Sequence, residues 1–108
     1  MSTQQSTIEY ITDQLVSVPG ISTRKMFGEY ALYCGKKVVA LICDDTLFVK
    51  ITPEGKEFVD DKYKEGTAYP GAKPSMQIDA DLLEDRDWIS TLIKITEVNL
   101  AEPKAKKK

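Results

Sequence analysis

Between Gly28 and Ile51 three β-forming runs are separated by two turns of two residues each, and this spacing constrains the fold more than any other feature of the chain. Gly35-Lys36 has the form of a type II′ hairpin turn, with glycine at the first central position. Asp44-Asp45 supplies the second turn, using a residue type whose short polar side chain tolerates turn geometry. The two turns predict strands over 28–34, 37–43 and 46–51, folded as an antiparallel meander. Pairing then sets Cys34 opposite Lys37, Leu32 opposite Val39, Tyr30 opposite Leu41 and Gly28 opposite Cys43. In the second hairpin Ile42 faces Leu47, and Leu41 faces Phe48.

This register decides how the two cysteines are read. Cys34 and Cys43 fall at opposite hairpin tips, roughly 20 Å apart at ~3.3 Å per residue. A disulfide needs Cα atoms within about 7 Å, so both are expected to be plain strand thiols. A reactive Cys34, beside Lys36 and Lys37 at an exposed turn, is the alternative. The chain has no histidine, which removes Ser-His-Asp and Cys-His catalysis and every His-containing zinc site. Two cysteines cannot form a Cys₄ site. No glycine-rich phosphate loop and no nucleophile elbow is present. The acid pairs Asp44-Asp45, Asp60-Asp61 and Asp85/Asp87 read as solvated turns and helix starts. No enzyme, catalytic residue, metal or cofactor is expected.

The same register makes both sheet faces largely apolar. One carries Ala31, Tyr33, Val38, Ala40, Ile42, Leu47 and Val49. The other carries Tyr30, Leu32, Val39, Leu41 and Phe48. A sheet with one wet face alternates apolar and polar residues, so either the chain's own helices and loops cover both sides or one side is an interface. Leu32, Val39, Leu41 and Phe48 are the residues expected to form a dimer or packing face.

The flanks supply the helices. Ile8, Ile11, Leu15 and Val18 make one stripe of a 3.6-residue period; Ser6 and Glu9 have the spacing of a capping box, and Pro19-Gly20 ends the helix. Thr52 as N-cap and Pro53 in the first turn start a second helix that runs to about Tyr63. A loop follows, then a short strand in which Met76 and Ile78 point one way. The acid-rich Asp79–Asp87 segment opens the last helix, with Asp85 as cap; Trp88, Leu92, Ile95 and Asn99, flanked by Ile89, Ile93 and Thr96, give a broad apolar face over Asp85–Asn99. The order α-β-β-β-α-β-α predicts an α+β two-layer sandwich built on an antiparallel sheet.

Composition sets the remaining bounds. At 108 residues, 42% hydrophobic and 30% charged, the chain matches one globular domain, taken as residues 1–103, with 104–108 as a disordered basic tail. Net charge is −2, but the tail holds four lysines; removing them from the 15 basic residues leaves 11 against 17 acidic, a net of −6. An acidic body repels phosphate backbones, so no strong direct nucleic-acid binding is expected. No apolar run approaches the ~20 residues that span a bilayer, and the N-terminus lacks the pattern of a signal peptide. A cytoplasmic location without membrane attachment is the expectation.

The segment from Arg24 to Gly55, followed by "YPGAKPSMQI" and "LLEDRDWISTLI", resembles the N-terminal domain of the TfoX/Sxy family over roughly residues 7 to 98. The resemblance is carried by Arg24, Met26, Phe27, Gly28 and Tyr30, the Gly35-Lys36 hairpin, Ala40-Leu41-Ile42 and Leu47-Phe48-Val49-Lys50. Glu29 departs from it, standing where many members have a second glycine. The resemblance implies a fold similar to type III secretion chaperones and a homodimer. It also implies a role in competence and transcription regulation through a protein partner, a transcription regulator of the cyclic-AMP receptor type. Full-length members carry a second, helical domain suspected of the nucleic-acid role.

For binding, the candidates are Arg24, Met26, Phe27, Gly28, Tyr30, Lys50, Tyr69 and Lys73. Arg24, Lys25 and Lys50 are expected to meet at one end of the sheet with Phe27, Tyr30 and Phe48, as cations among aromatics that suit single-stranded nucleic acid or an anionic ligand. A surface salt-bridge patch over core aromatics is the structural alternative. Tyr69 and Lys73 lie in a loop, where binding residues gather. Three functions therefore remain: a partner-binding regulatory domain, a chaperone-like adaptor unrelated to transcription, and a small anionic-ligand or enzymatic domain around Arg24.

Overall fold

The structure, a computed structural model, describes residues 3–26, 29–68 and 70–100. The elements in chain order are α1 (Gln5–Gln14), β1 (Ile21–Met26), β2 (Glu29–Cys34), β3 (Lys37–Cys43), β4 (Thr46–Val49) and α2 (Pro53–Val59). A 3-10 turn (Asp60–Lys62) follows, then β5 (Glu65–Thr67), β6 (Pro74–Ile78), α3 (Ala80–Leu83) and α4 (Arg86–Asn99). All strand pairs are antiparallel, in the order β1-β2-β3-β4-β6-β5. This is the expected α+β two-layer architecture with a wider sheet than the sequence suggested. The expected basic tail lies outside the described residues.

Three elements had no counterpart in the sequence pattern. Strand β1 is polar and sits at the sheet edge, where only one ladder must form; it pairs with β2 from Ile21–Cys34 to Met26–Glu29. Strand β5 is three residues long, inside the segment read as a loop, and pairs only with β6. Helix α3 is a single turn that separates Asp79 from the start of α4.

The two hairpin turns stand as expected. Gly35 has φ +63°, and Asp44 and Asp45 have φ +51° and +61°. Two successive left-handed residues are what a type I′ turn requires, and Asp is among the residue types that tolerate it.

Pairing of β2 with β3 departs from the expected register by one residue. Cys34–Lys37 and Tyr33–Val38 pair as predicted, and then Leu32 pairs with Ala40, Ala31 with Leu41 and Tyr30 with Ile42. Val39 is the extra residue of a β-bulge. Because side chains alternate with period two, one inserted residue exchanges the faces of everything beyond it. The helix-facing side of the sheet is therefore Tyr30, Leu32, Ala40, Ile42, Leu47, Val49, Met76 and Ile78, with Val39 also packed inward. The outward side carries Ala31, Tyr33, Val38, Leu41 and Phe48. Leu32 and Val39 thus belong to the core, and the proposed common face with Leu41 and Phe48 is corrected: the bulge divides the four residues two and two.

The described helices cover one side only. Ile8, Ile11, Leu15 and Val18 are buried as the stripe predicted, although α1 ends at Gln14. Its capping box does not form. Gln4 is the N-cap and makes no side-chain cap bond, so Ser6 lies within the first turn. Thr52 does cap α2, accepting from the Gly55 N–H at 2.9 Å, and Asp85 caps α4, accepting from Trp88 N–H at 3.0 Å. Helix α4 buries Ile89, Ser90, Leu92, Ile93 and Thr96, so the core side of the expected broad face is Leu92 with its flank of Ile89, Ile93 and Thr96; Trp88 is half-buried, its ring stacked on Phe58 at 5.7 Å, and Asn99 is exposed. Lys37 at the hairpin tip donates to the carbonyl of Glu97 at 2.7 Å, fastening the sheet to the last turn of α4, where the helix dipole favours a cation.

Candidate functional site

The outward sheet face collects the charged candidates. By register, Arg24, Ala31, Leu41, Phe48 and Gln77 form one row across β1, β2, β3, β4 and β6. Arg24 is held on this face by a diagonal neighbour on the adjacent strand: its guanidinium carbon lies 5.6 Å from the centroid of the Tyr33 ring of β2. Such a contact at an exposed site contributes about 0.5–1 kcal/mol. Lys50 follows Phe48 by two residues, so it faces the same way, and its N–H extends the ladder to Val39 O at 2.9 Å. Arg24 and Lys50 are three strand spacings apart across the sheet and two residues out of row, about 16 Å in all.

Lys50 and Lys73 flank a cleft of about 600 Å³ whose apolar floor includes Val38, Leu41 and Ile51 and whose far wall includes Leu100, just beyond α4. The lining contains no acidic side chain. Among the described residues, Arg24, Lys50 and Lys73 form no ion pair. Phe48 lies in this face too but is nearly covered: a Cβ added to Gly66 would stand 3.4 Å from its ring, so the bare glycine backbone of β5 lets the ring lie flat. Tyr33, Val38 and Leu41 remain half-buried.

Arg24, Lys50, Lys73, Leu41 and Phe48 are thus brought to one side of the sheet. Tyr30 and Lys25 are not. They pair with each other, one residue out of phase with Arg24, so both belong to the helix-facing side; the Tyr30 hydroxyl donates to Gln5 Oε1 of α1 at 3.4 Å. The backbone of Met26 closes β1 opposite Glu29. The Met26 side chain, Phe27, Gly28 and Tyr69 lie outside the described residues. Tyr33, Val38 and Ser75 join the outward face and were not among the candidates. For Tyr33 and Val38 the signal was present in the alternation of β2 and β3, but the bulge at Val39 concealed which side it marked; Ser75 joins them from β6.

Glu29, the departure from the family pattern, has a structural role. Its carboxylate accepts from Thr3 Oγ1 at 2.6 Å and from the Asp44 N–H at 3.2 Å, tying the segment before α1 to the β3–β4 turn. Thr3 Oγ1 in turn accepts from the Asp45 N–H at 3.2 Å.

Both cysteines are free and buried. Burial pushes the Cys34 thiol above its ordinary pKa, the Glu97 carboxylate adds to the rise, and Lys37 opposes it; the thiol donates to the Pro19 carbonyl at 3.4 Å. Burial also raises Cys43, with Glu29 and Asp44 contributing. These environments disfavour the thiolate that nucleophilic chemistry requires. Among the described residues no three His, Cys, Asp or Glu side chains are grouped to hold a metal ion, and no helix is long and apolar enough to cross a membrane.

Comparison with known proteins agrees with these features. The family model for the TfoX N-terminal domain matches residues 13–97. An uncharacterised 12.7 kDa protein in the trpE 5′ region of Spirochaeta aurantia is 36% identical over 107 residues, spanning 99% of this chain and 91% of that protein. With the Gly35-Lys36 hairpin, strand β4 (Thr46–Val49) and the α+β sandwich in place, the chain belongs to the TfoX N-terminal domain family.

Proposed function

We propose that this protein is a non-enzymatic regulatory domain that acts by holding a partner protein on the outward face of its sheet. The partner is a transcription regulator, as the family resemblance implies, met in the cytoplasm. One observation carries the proposal: Tyr33, Val38 and Leu41 stay half-buried on a face that no described helix packs against, and Arg24, Lys50 and Lys73 stand around them, forming no ion pair among the described residues. An apolar centre with a charged rim is the anatomy of a protein interface, in which the rim selects the partner.

Charge also selects between partners. A second copy docked on this face would set three cations against three cations, a juxtaposition that disfavours association. A partner presenting carboxylates around an apolar centre fits instead. The homodimer implied by the family then uses a different surface, such as the open edge of β1. A chaperone-like adaptor would use the same outward face for an extended client rather than for a folded regulator.

The test is affinity capture from the source lysate, with and without nuclease, using the wild-type chain and a Leu41→Asp variant. The expected result is a transcription regulator that survives nuclease and is lost with Leu41→Asp. Capture of the chain alone, or of a regulator equally well by both forms, would overturn the proposal.

A further inference from the structure

We propose that the cleft between Lys50 and Lys73 is a binding site for a small amphipathic carboxylate, an acid with an aromatic or branched aliphatic body. Its volume of about 600 Å³ lies within the range of small-molecule sites, which combine an apolar lining with a few convergent polar groups. Val38, Leu41 and Ile51 provide the apolar surface, and Lys50, Lys73 and Ser75 of β6 complete the lining. No acid lies in the lining and both lysines are exposed, so an anionic head can meet them at the cleft's edge while a neutral apolar molecule gains nothing from either charge. A carboxylate has two oxygens to match two point-charge donors. A phosphate, with three oxygens, is better served by a cradle of backbone N–H groups or a bidentate guanidinium, and the lining residues include no arginine. This site goes beyond the partner face: it needs no protein partner, although a ligand seated there would lie against Leu41.

The experiment is a titration of the full chain, followed by ¹H–¹⁵N correlation spectra, with 4-phenylbutyrate and with 4-phenylbutanol as its uncharged counterpart. The proposal expects saturable shifts confined to the amides of Val38, Leu41, Ile51, Ala72 and Ser75, and an affinity for the acid roughly fivefold or more above that for the alcohol. Lys50→Met and Lys73→Met, both at exposed positions, each remove most of that preference while leaving the rest of the spectrum unchanged. Equal binding of acid and alcohol, shifts that do not saturate or that map elsewhere, or an acid preference untouched by either substitution would overturn it. Loss of the partner with intact acid binding would count against the proposed partner face alone.

Discussion

The carboxylate of Asp45, in the turn between β3 and β4, accepts a hydrogen bond from the Thr7 hydroxyl at 2.8 Å and from the Gln4 N–H at the same distance. A residue 38 positions away thus occupies the place of the side-chain cap that α1 lacks. The negative charge sits at the positive end of the helix dipole, and the left-handed backbone of the turn is what aims it there.

Those two hydrogen bonds hold the Asp45 carboxyl below its ordinary pKa of 3.8, the backbone N–H of Gln4 being the larger cause. A depressed native pKa means that the contribution is fully present above the unfolded value and is lost as pH falls through the native one. Asp45→Asn is therefore expected to melt a few degrees below wild type at pH 7. The gap should narrow as pH falls through the carboxylate range below about 4. Thermal unfolding by circular dichroism at a series of pH values checks this, and a gap independent of pH would refute the capping role.

Gly20 and Gly35 meet back to back, with Gly35 N–H donating to the Gly20 carbonyl at 2.9 Å. Both have positive φ, but only Gly20 is crowded: a Cβ there would lie 2.9 Å from the Gly35 nitrogen, whereas at Gly35 nothing stands within 4 Å. Gly20→Ala is expected to cost about 1–3 kcal/mol from the left-handed backbone, with the steric conflict in addition. Gly35→Asn should cost less, since asparagine tolerates that region. Urea unfolding of the two variants measures the difference; equal losses would contradict it.

The bulge at Val39 separates two leucines that an unbroken ladder would put on one face. Leu32 is fully buried in the core, so Leu32→Ala should destabilise by about 2–5 kcal/mol. Leu41, half-buried on the outward side, should cost about 1 kcal/mol or less on the same change and should instead weaken partner capture. Chemical denaturation alongside capture distinguishes stability from binding, and a core-sized loss at Leu41 would place it in the wrong layer.

Cys34 and Cys43 should react slowly with a thiol reagent in the native protein and rapidly once it is unfolded, because burial both shields the sulfurs and raises their pKa. Stopped-flow thiol titration at pH 8, with and without denaturant, gives the ratio directly. Rapid native labelling of Cys34 would restore the reactive-turn interpretation.

Local chemistry was enough to read much of this chain. Turn positions followed from glycine and aspartate at two-residue spacing, the caps of α2 and α4 from Thr52 and Asp85, and the buried stripe of α1 from a 3.6-residue period, because each is decided within about one turn of chain. Arg24, Lys50 and Lys73 were likewise visible as cations near strand positions. What the tertiary structure decided was everything set by pairing over distance. Strand β1 exists because β2 offers it a ladder, α1 is capped by a residue from another hairpin, and one extra residue at Val39 turned Leu41 outward while leaving Leu32 inside. Side-chain alternation in a strand is local, but its phase relative to the core depends on register, and a bulge shifts that phase without leaving a mark in the residues around it.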